Sequence, residues 1–138
     1  MATVNIYLTF NGTCEAAFNF YKSVFGGEFF NLSKYRDMPS PDRPLSESEK
    51  EKVMHVNFPI SKETKLMGCD TLDEFVPGNN FSIAVNPENE AEGRNIFAGL
   101  SEGGNVVMPI EKTFWNSLFG MVVDKFGVCW MVDYQLSE

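Results

Sequence analysis

One order of sequence patterns runs twice along this chain, and that repetition limits the possible folds more than any other feature. Val4, Ile6, Leu8 and Phe10 alternate with Asn5, Tyr7 and Thr9, the two-residue period of a half-buried strand. Asn11-Gly12-Thr13 interrupts it, and Thr13 is placed to cap a helix whose apolar Ala16, Ala17, Phe20, Tyr21 and Val24 share one stripe. Gly26-Gly27 closes that helix, because glycine readily takes the left-handed conformation of a C-terminal cap. Strands are expected at about 28–35, 53–60 and 65–70. Then the series restarts. Phe81, Ile83 and Val85 alternate with Asn80, Ser82 and Ala84, and Asn86-Pro87 leads into a helix with Glu88, Glu90 and Glu92 near its N-terminus, where the dipole favours negative charge. Gly93, Ile96, Phe97 and Leu100 form its buried stripe, Gly103-Gly104 ends it, and three strands follow at about 105–111, 117–123 and 128–134.

Asn5 corresponds to Asn80 and Phe10 to Val85, while Phe20 corresponds to Phe97 and Gly26 to Gly103 at a spacing two residues longer. Residue identity between the halves is weak, but element order is the same: strand, helix, three strands. The chain of 138 residues therefore reads as an α+β protein of two βαβββ modules, about 1–72 and 78–138, within one domain. Between residues 37 and 52 the composition turns to proline, serine and alternating charge, and Pro39, Pro41 and Pro44 argue for a long exposed loop, either a lid or a surface insertion.

Charge and cysteine usage exclude several function classes. A formal net charge of -8 opposes nucleic acid and anionic membrane as partners, since both are bound through lysine and arginine counter-charge. Cys14, Cys69 and Cys129 are odd in number and lack C-x-x-C spacing, so free thiols in a reducing, cytoplasmic setting are expected. The N-terminus lacks the order of a signal peptide, and no apolar run approaches the ~20 residues of a membrane helix.

The segment FNGTCEAAFNFYKSVFGGEF and the ending FWNSLFGMVVDKFGVCW, set in paired βαβββ modules, resemble the PhnB-like branch of the vicinal oxygen chelate superfamily, the glyoxalase and bleomycin-resistance fold. The resemblance covers essentially the whole chain. It implies two U-shaped, mostly antiparallel sheets around a pocket, and it implies a homodimer, which unpaired edge strands would also favour. Metal-dependent members of that superfamily place a ligand, usually His, Gln or Glu, on the first and last strand of each module. Those positions fall here at Asn5, Met67, Asn80 and Met131. Two thioethers and two neutral amides suit no common catalytic metal, so no metal and no cofactor are expected.

The pocket candidates are Tyr7, His55, Met67, Cys69, Asn80, Trp115, Phe119 and Met131. Each has a plainer alternative. His55, the single histidine, suits a hydrogen-bonded structural role as well as ligand contact or acid/base work. Met67 and Met131 could simply fill irregular space. Phe114, Trp115 and Phe119 suit either core or an aromatic platform for a ligand. Trp130 is assigned to core by its strand phase, and Asp70 and Asp124 suit turn-capping roles. Cys69 and Cys129 have no base nearby in sequence, which disfavours a nucleophile. The function expected is metal-free binding of a small molecule. The alternatives are a lyase, isomerase or dioxygenase-like enzyme using His55, Asp70 or Asp124 as acid or base, and a demethylubiquinone methyltransferase-like enzyme. The last is disfavoured because Gly26-Gly27 closes a helix where a nucleotide-binding glycine loop would open one.

Overall fold

The computed structural model describes residues 2–39 and 41–136. They form two compact units, Met1–Val76 and Pro77–Glu138. The first contains β1 (Ile6–Phe10), α1 (Cys14–Phe25), β2 (Asn31–Lys34), a single 3-10 turn (Tyr35–Asp37), α2 (Glu47–Lys50), β3 (Val53–Pro59) and β4 (Lys65–Asp70). The second contains β5 (Ile83–Val85), α3 (Glu90–Ser101), β6 (Asn105–Lys112), β7 (Ser117–Val123) and β8 (Cys129–Gln135).

The repeat read from the sequence is a repeat of topology. In the first unit the strand order is β1-β4-β3-β2, and in the second it is β5-β8-β7-β6. In each, the strand before the helix pairs in parallel with the last strand, and the other pairings are antiparallel. A parallel pairing needs a crossover, and α1 and α3 supply it by packing on one face of their sheets.

In the first unit Leu8, Phe10, Val56, Phe58 and Leu66 point to the helix and are buried. Phe18 of α1 lies edge-on to Phe10 and sits over Gly68, where an added Cβ would come within 2.8 Å of its ring. The buried stripe of α1 is Cys14, Ala17, Phe18 and Tyr21, rotated from the expected Ala16, Ala17, Phe20, Tyr21 and Val24. Aromatic residues occupy several faces of this helix, so periodicity alone admits both stripes. Thr13 occupies the N-cap without a side-chain cap bond. The cap comes instead from Asp70, whose Oδ1 accepts from Gly12 N at 2.8 Å and Cys14 N at 3.0 Å.

The 37–52 segment is not wholly irregular. Ser46 and Glu49 form a reciprocal capping box, Ser46 Oγ accepting from Glu49 N and Glu49 Oε1 from Ser46 N, and this turn starts α2. Arg43 ties the segment down through Asp73 at 3.2 Å and the Leu72 carbonyl at 3.2 Å.

In the second unit Asn89 caps α3 by accepting from Glu92 N at 2.8 Å, and the expected stripe Gly93, Ile96, Phe97 and Leu100 is buried. Trp130 is fully buried, as its strand phase required, and its Nε1 donates to Asp124 Oδ2 at 2.8 Å. The other Asp124 oxygen accepts from Phe126 N and Val128 N, which fixes the hairpin between β7 and β8, with Gly127 at φ 88°. The expected strand at 80–85 is shorter than its alternation suggested. Ladder pairing with β8 covers Ile83, Ala84 and Val85 alone, and Phe81, assigned by phase to the buried face, is 56% exposed.

Candidate functional site

Each sheet has a second face, turned away from its helix, and the pleat decides which residues occupy it. In the first unit Tyr7 pairs with Met67, Met67 with Asn57, and Asn57 with Asn31. The next row holds Thr9 beside Cys69 and His55 beside Ser33. Four of the pocket candidates, Tyr7, His55, Met67 and Cys69, therefore share one sheet face. The Tyr7 and His55 rings stack with centroids 6.0 Å apart. Burial, and then a hydrogen bond to the Cys69 thiol, raise the Tyr7 hydroxyl well above its usual range, so it stays a neutral donor. Cys69, which has no base nearby in sequence, is brought beside Tyr7, one row along the sheet, by the β1–β4 pairing. Asn57, which sequence reasoning passed over, lies in the same rows, and its buried Oδ1 accepts no hydrogen bond.

In the second unit Ala84, Met131 and Met121 lie side by side across β5, β8 and β7, and Met108 of β6 pairs with Met121. In a neighbouring row Asp133 faces Phe119 across the β7–β8 ladder. Trp115 lies 5.8 Å from Phe119, and Phe114 packs edge-on against Trp115 at 4.9 Å. Phe114 is 97% and Trp115 47% exposed, which removes both from the core. The turn carrying them is set by Thr113, which accepts from Ser117 N, and by Asn116 in the left-handed region at φ 63°. Met131, Phe119 and Trp115 thus belong to one neighbourhood. Asn80 does not join them on a strand, because it precedes β5 and is exposed.

The two aspartates considered as acid or base have structural employment. Both oxygens of Asp70 are taken by backbone N–H groups, from Gly12, Cys14 and, at 2.9 Å, Val53. Both oxygens of Asp124 are likewise taken, by two backbone N–H groups and the Trp130 indole.

The positions that the resemblance matches to metal ligands are Asn5, Met67, Asn80 and Met131. Asn5 Oδ1 is committed to Lys65 N at 2.9 Å, prolonging the β1–β4 contact, and Met67 and Met131 offer only thioethers. Among the described residues no three His, Cys, Asp or Glu side chains gather in a way that could hold an ion.

Residues 2–133 match the family described as 3-demethylubiquinone-9 3-methyltransferase, the PhnB-like proteins. The chain belongs to this family. The chain is 34% identical to protein PA1353 from Pseudomonas aeruginosa, with a TM-score of 0.87 and coverage of 99% of this chain and 100% of that one. A protein from Bacillus cereus titled a putative 3-demethylubiquinone-9 3-methyltransferase, PhnB protein, is 28% identical, with a TM-score of 0.77 and coverage of 96% and 99%. Protein YjdN from Escherichia coli is 27% identical over 134 residues, 92% of this chain and 91% of YjdN. More distantly, the fosfomycin resistance protein FosX from Listeria monocytogenes, solved with Mn(II) and sulfate, is 12% identical with a TM-score of 0.62 over 96% of this chain and 91% of that one, a likeness of fold alone. The fold of this PhnB-like chain is accordingly that of the glyoxalase and bleomycin-resistance proteins.

Proposed function

We propose that this protein binds a small molecule on a helix-free sheet face without a metal ion, as a cytoplasmic homodimer. The observation that carries the reading is the donor set. Asn5, Met67, Asn80 and Met131 stand at the superfamily's ligand positions, one amide is already spent on the backbone, and the thioethers are poor donors for hard divalent cations. The surroundings suit an organic ligand instead, with methionines and aromatic rings on the second sheet and hydrogen-bonding side chains such as Tyr7, His55 and Asn57 on the first.

Elemental analysis of the purified protein, followed by thermal shift with Zn, Ni, Mn and Fe salts, tests this. The expected result is no stoichiometric metal and no specific rise in melting temperature. One ion raising the melting temperature by several degrees at stoichiometric concentration would reverse the reading in favour of a metalloenzyme.

One cluster favours a catalytic alternative of the lyase or isomerase kind. Tyr7, His55 and Cys69 bring a hydroxyl, an imidazole and a thiol together on one face. The methyltransferase activity in the family's description finds less support. Gly26 and Gly27 adopt φ of 80° and 86° at the C-terminal end of α1, and the strand-to-helix connections lack the glycine-rich turn on which a nucleotide-bearing cofactor would rest.

A further inference from the structure

Among the described residues of the second unit, one buried side-chain oxygen is left unanswered by the fold, and it belongs to Asp133. Its Oδ1 is buried and accepts no hydrogen bond. The nearby amide donors are committed elsewhere. Asn86 Nδ2 donates to the Asp133 backbone carbonyl at 3.0 Å, Gln135 Nε2 to the Asn116 carbonyl at 3.1 Å, and Asn116 Nδ2 to the Leu136 carbonyl at 3.2 Å. Two cations of this unit, Arg94 and Lys112, both turn to Glu90. A buried carboxylate oxygen without a donor is costly, so its retention here calls for a partner from outside the chain.

Its neighbours indicate the chemistry of that partner. Phe119 stands directly across the ladder from Asp133, and Trp115 is in ring contact with Phe119 and half exposed. A carboxylate beside aromatic rings suits an organic cation, with the ammonium held by charge and by the ring faces, and its apolar body resting on aromatic and methionine surface. The net charge of -8 draws cations towards the protein at long range.

We infer that the helix-free face of the second sheet takes an aromatic or aliphatic amine, with Asp133 as counter-charge and the Trp115–Phe119 pair as the ring surface. This rests on the small-molecule reading above and narrows it to a ligand class.

The test compares three probes of one shape by calorimetry at neutral pH: 4-phenylbutylamine, 4-phenylbutanol and 4-phenylbutyrate. The amine is expected to bind at least about ten-fold more tightly than the alcohol, and the acid most weakly, as a charge-assisted hydrogen bond allows. Asp133→Asn should erase the preference for the amine and leave alcohol binding within about two-fold. Because Asp133 Oδ1 has no hydrogen-bond partner among the described residues, the same substitution should leave the melting temperature unchanged or raise it. A melting temperature several degrees lower would mean that Asp133 is a structural residue and would overturn the inference. Equal binding of amine and alcohol, or a preference that survives Asp133→Asn, would overturn the cation site while leaving a small-molecule face in place. Absence of binding by all three at millimolar concentration would remove both.

Discussion

Asp70 and Asp133 show how far one residue type can differ in employment within a single chain. Asp70 closes the first sheet onto its helix. Its two oxygens accept three backbone N–H groups from two distant segments, and its own carbonyl accepts from the Tyr35 hydroxyl at 2.8 Å. Asp70→Ala would leave three buried or half-buried donors unanswered and remove a negative charge from the N-terminus of α1. The expected cost is about 3 kcal/mol, with Asp70→Asn costing less because one oxygen acceptor remains. Chemical denaturation of the two variants would measure this, and a loss below about 1 kcal/mol for the alanine variant would contradict the role given to Asp70. A capping role for Asp70 was legible in the sequence, but the segments it caps and the isolation of Asp133 Oδ1 were not. Both depend on partners brought near, or not brought near, by strand pairing. Position in a pattern reveals which face a side chain occupies, whereas its hydrogen-bond partners belong to the folded chain.

Elements were more legible than their contents. The bounds of β4 and β7 follow from alternation and turn residues, and α3 buries the stripe its sequence announces. The shortened β5 and the turn of helix at α2 departed from expectation because alternation does not report whether a partner strand is in reach, and because a local capping box can order four residues beside prolines. The buried stripe of α1 begins at Cys14, which the expected stripe omits and which is fully buried. That burial makes the packing of α1 sensitive to alkali. Desolvation, and then the charge of Asp70, push the Cys14 thiol far above its usual range near 9. A thiol held neutral in the fold but free to ionise when unfolded contributes stability that is complete below about pH 9 and declines as pH rises beyond it. The raised Tyr7 and Tyr35 hydroxyls add to the decline only from about pH 10. Melting temperature followed from pH 7 to 11 should therefore begin to fall near 9 in the native protein and near 10 in Cys14→Ala. Curves of identical shape would refute the assignment.

At the scale of the whole molecule, one βαβββ order used twice leaves two kinds of sheet edge. The edge at β2 (Asn31–Lys34) is short and mostly polar, whereas β6 at the edge of the second sheet is eight residues long and exposes Val106, Val107 and Met108. A long apolar edge strand is a liability unless something covers it. Pro109 in its middle withholds an N–H and limits continuous strand-to-strand pairing with another chain, so side-chain packing is the favoured way to cover it. We propose that a second copy of the chain provides the cover, which makes the homodimer a property of this strand. Multi-angle light scattering at tens of micromolar should give twice the chain mass. A lysine at Val107 should shift the population towards monomer, since burying an unpaired charge in an apolar contact is costly, while the melting temperature of the monomer stays within a few degrees because this side chain is exposed in the single chain. A monomer in the native protein at that concentration would sink the proposal. A dimer indifferent to Val107→Lys would place the contact elsewhere and leave the apolar edge of β6 without an explanation.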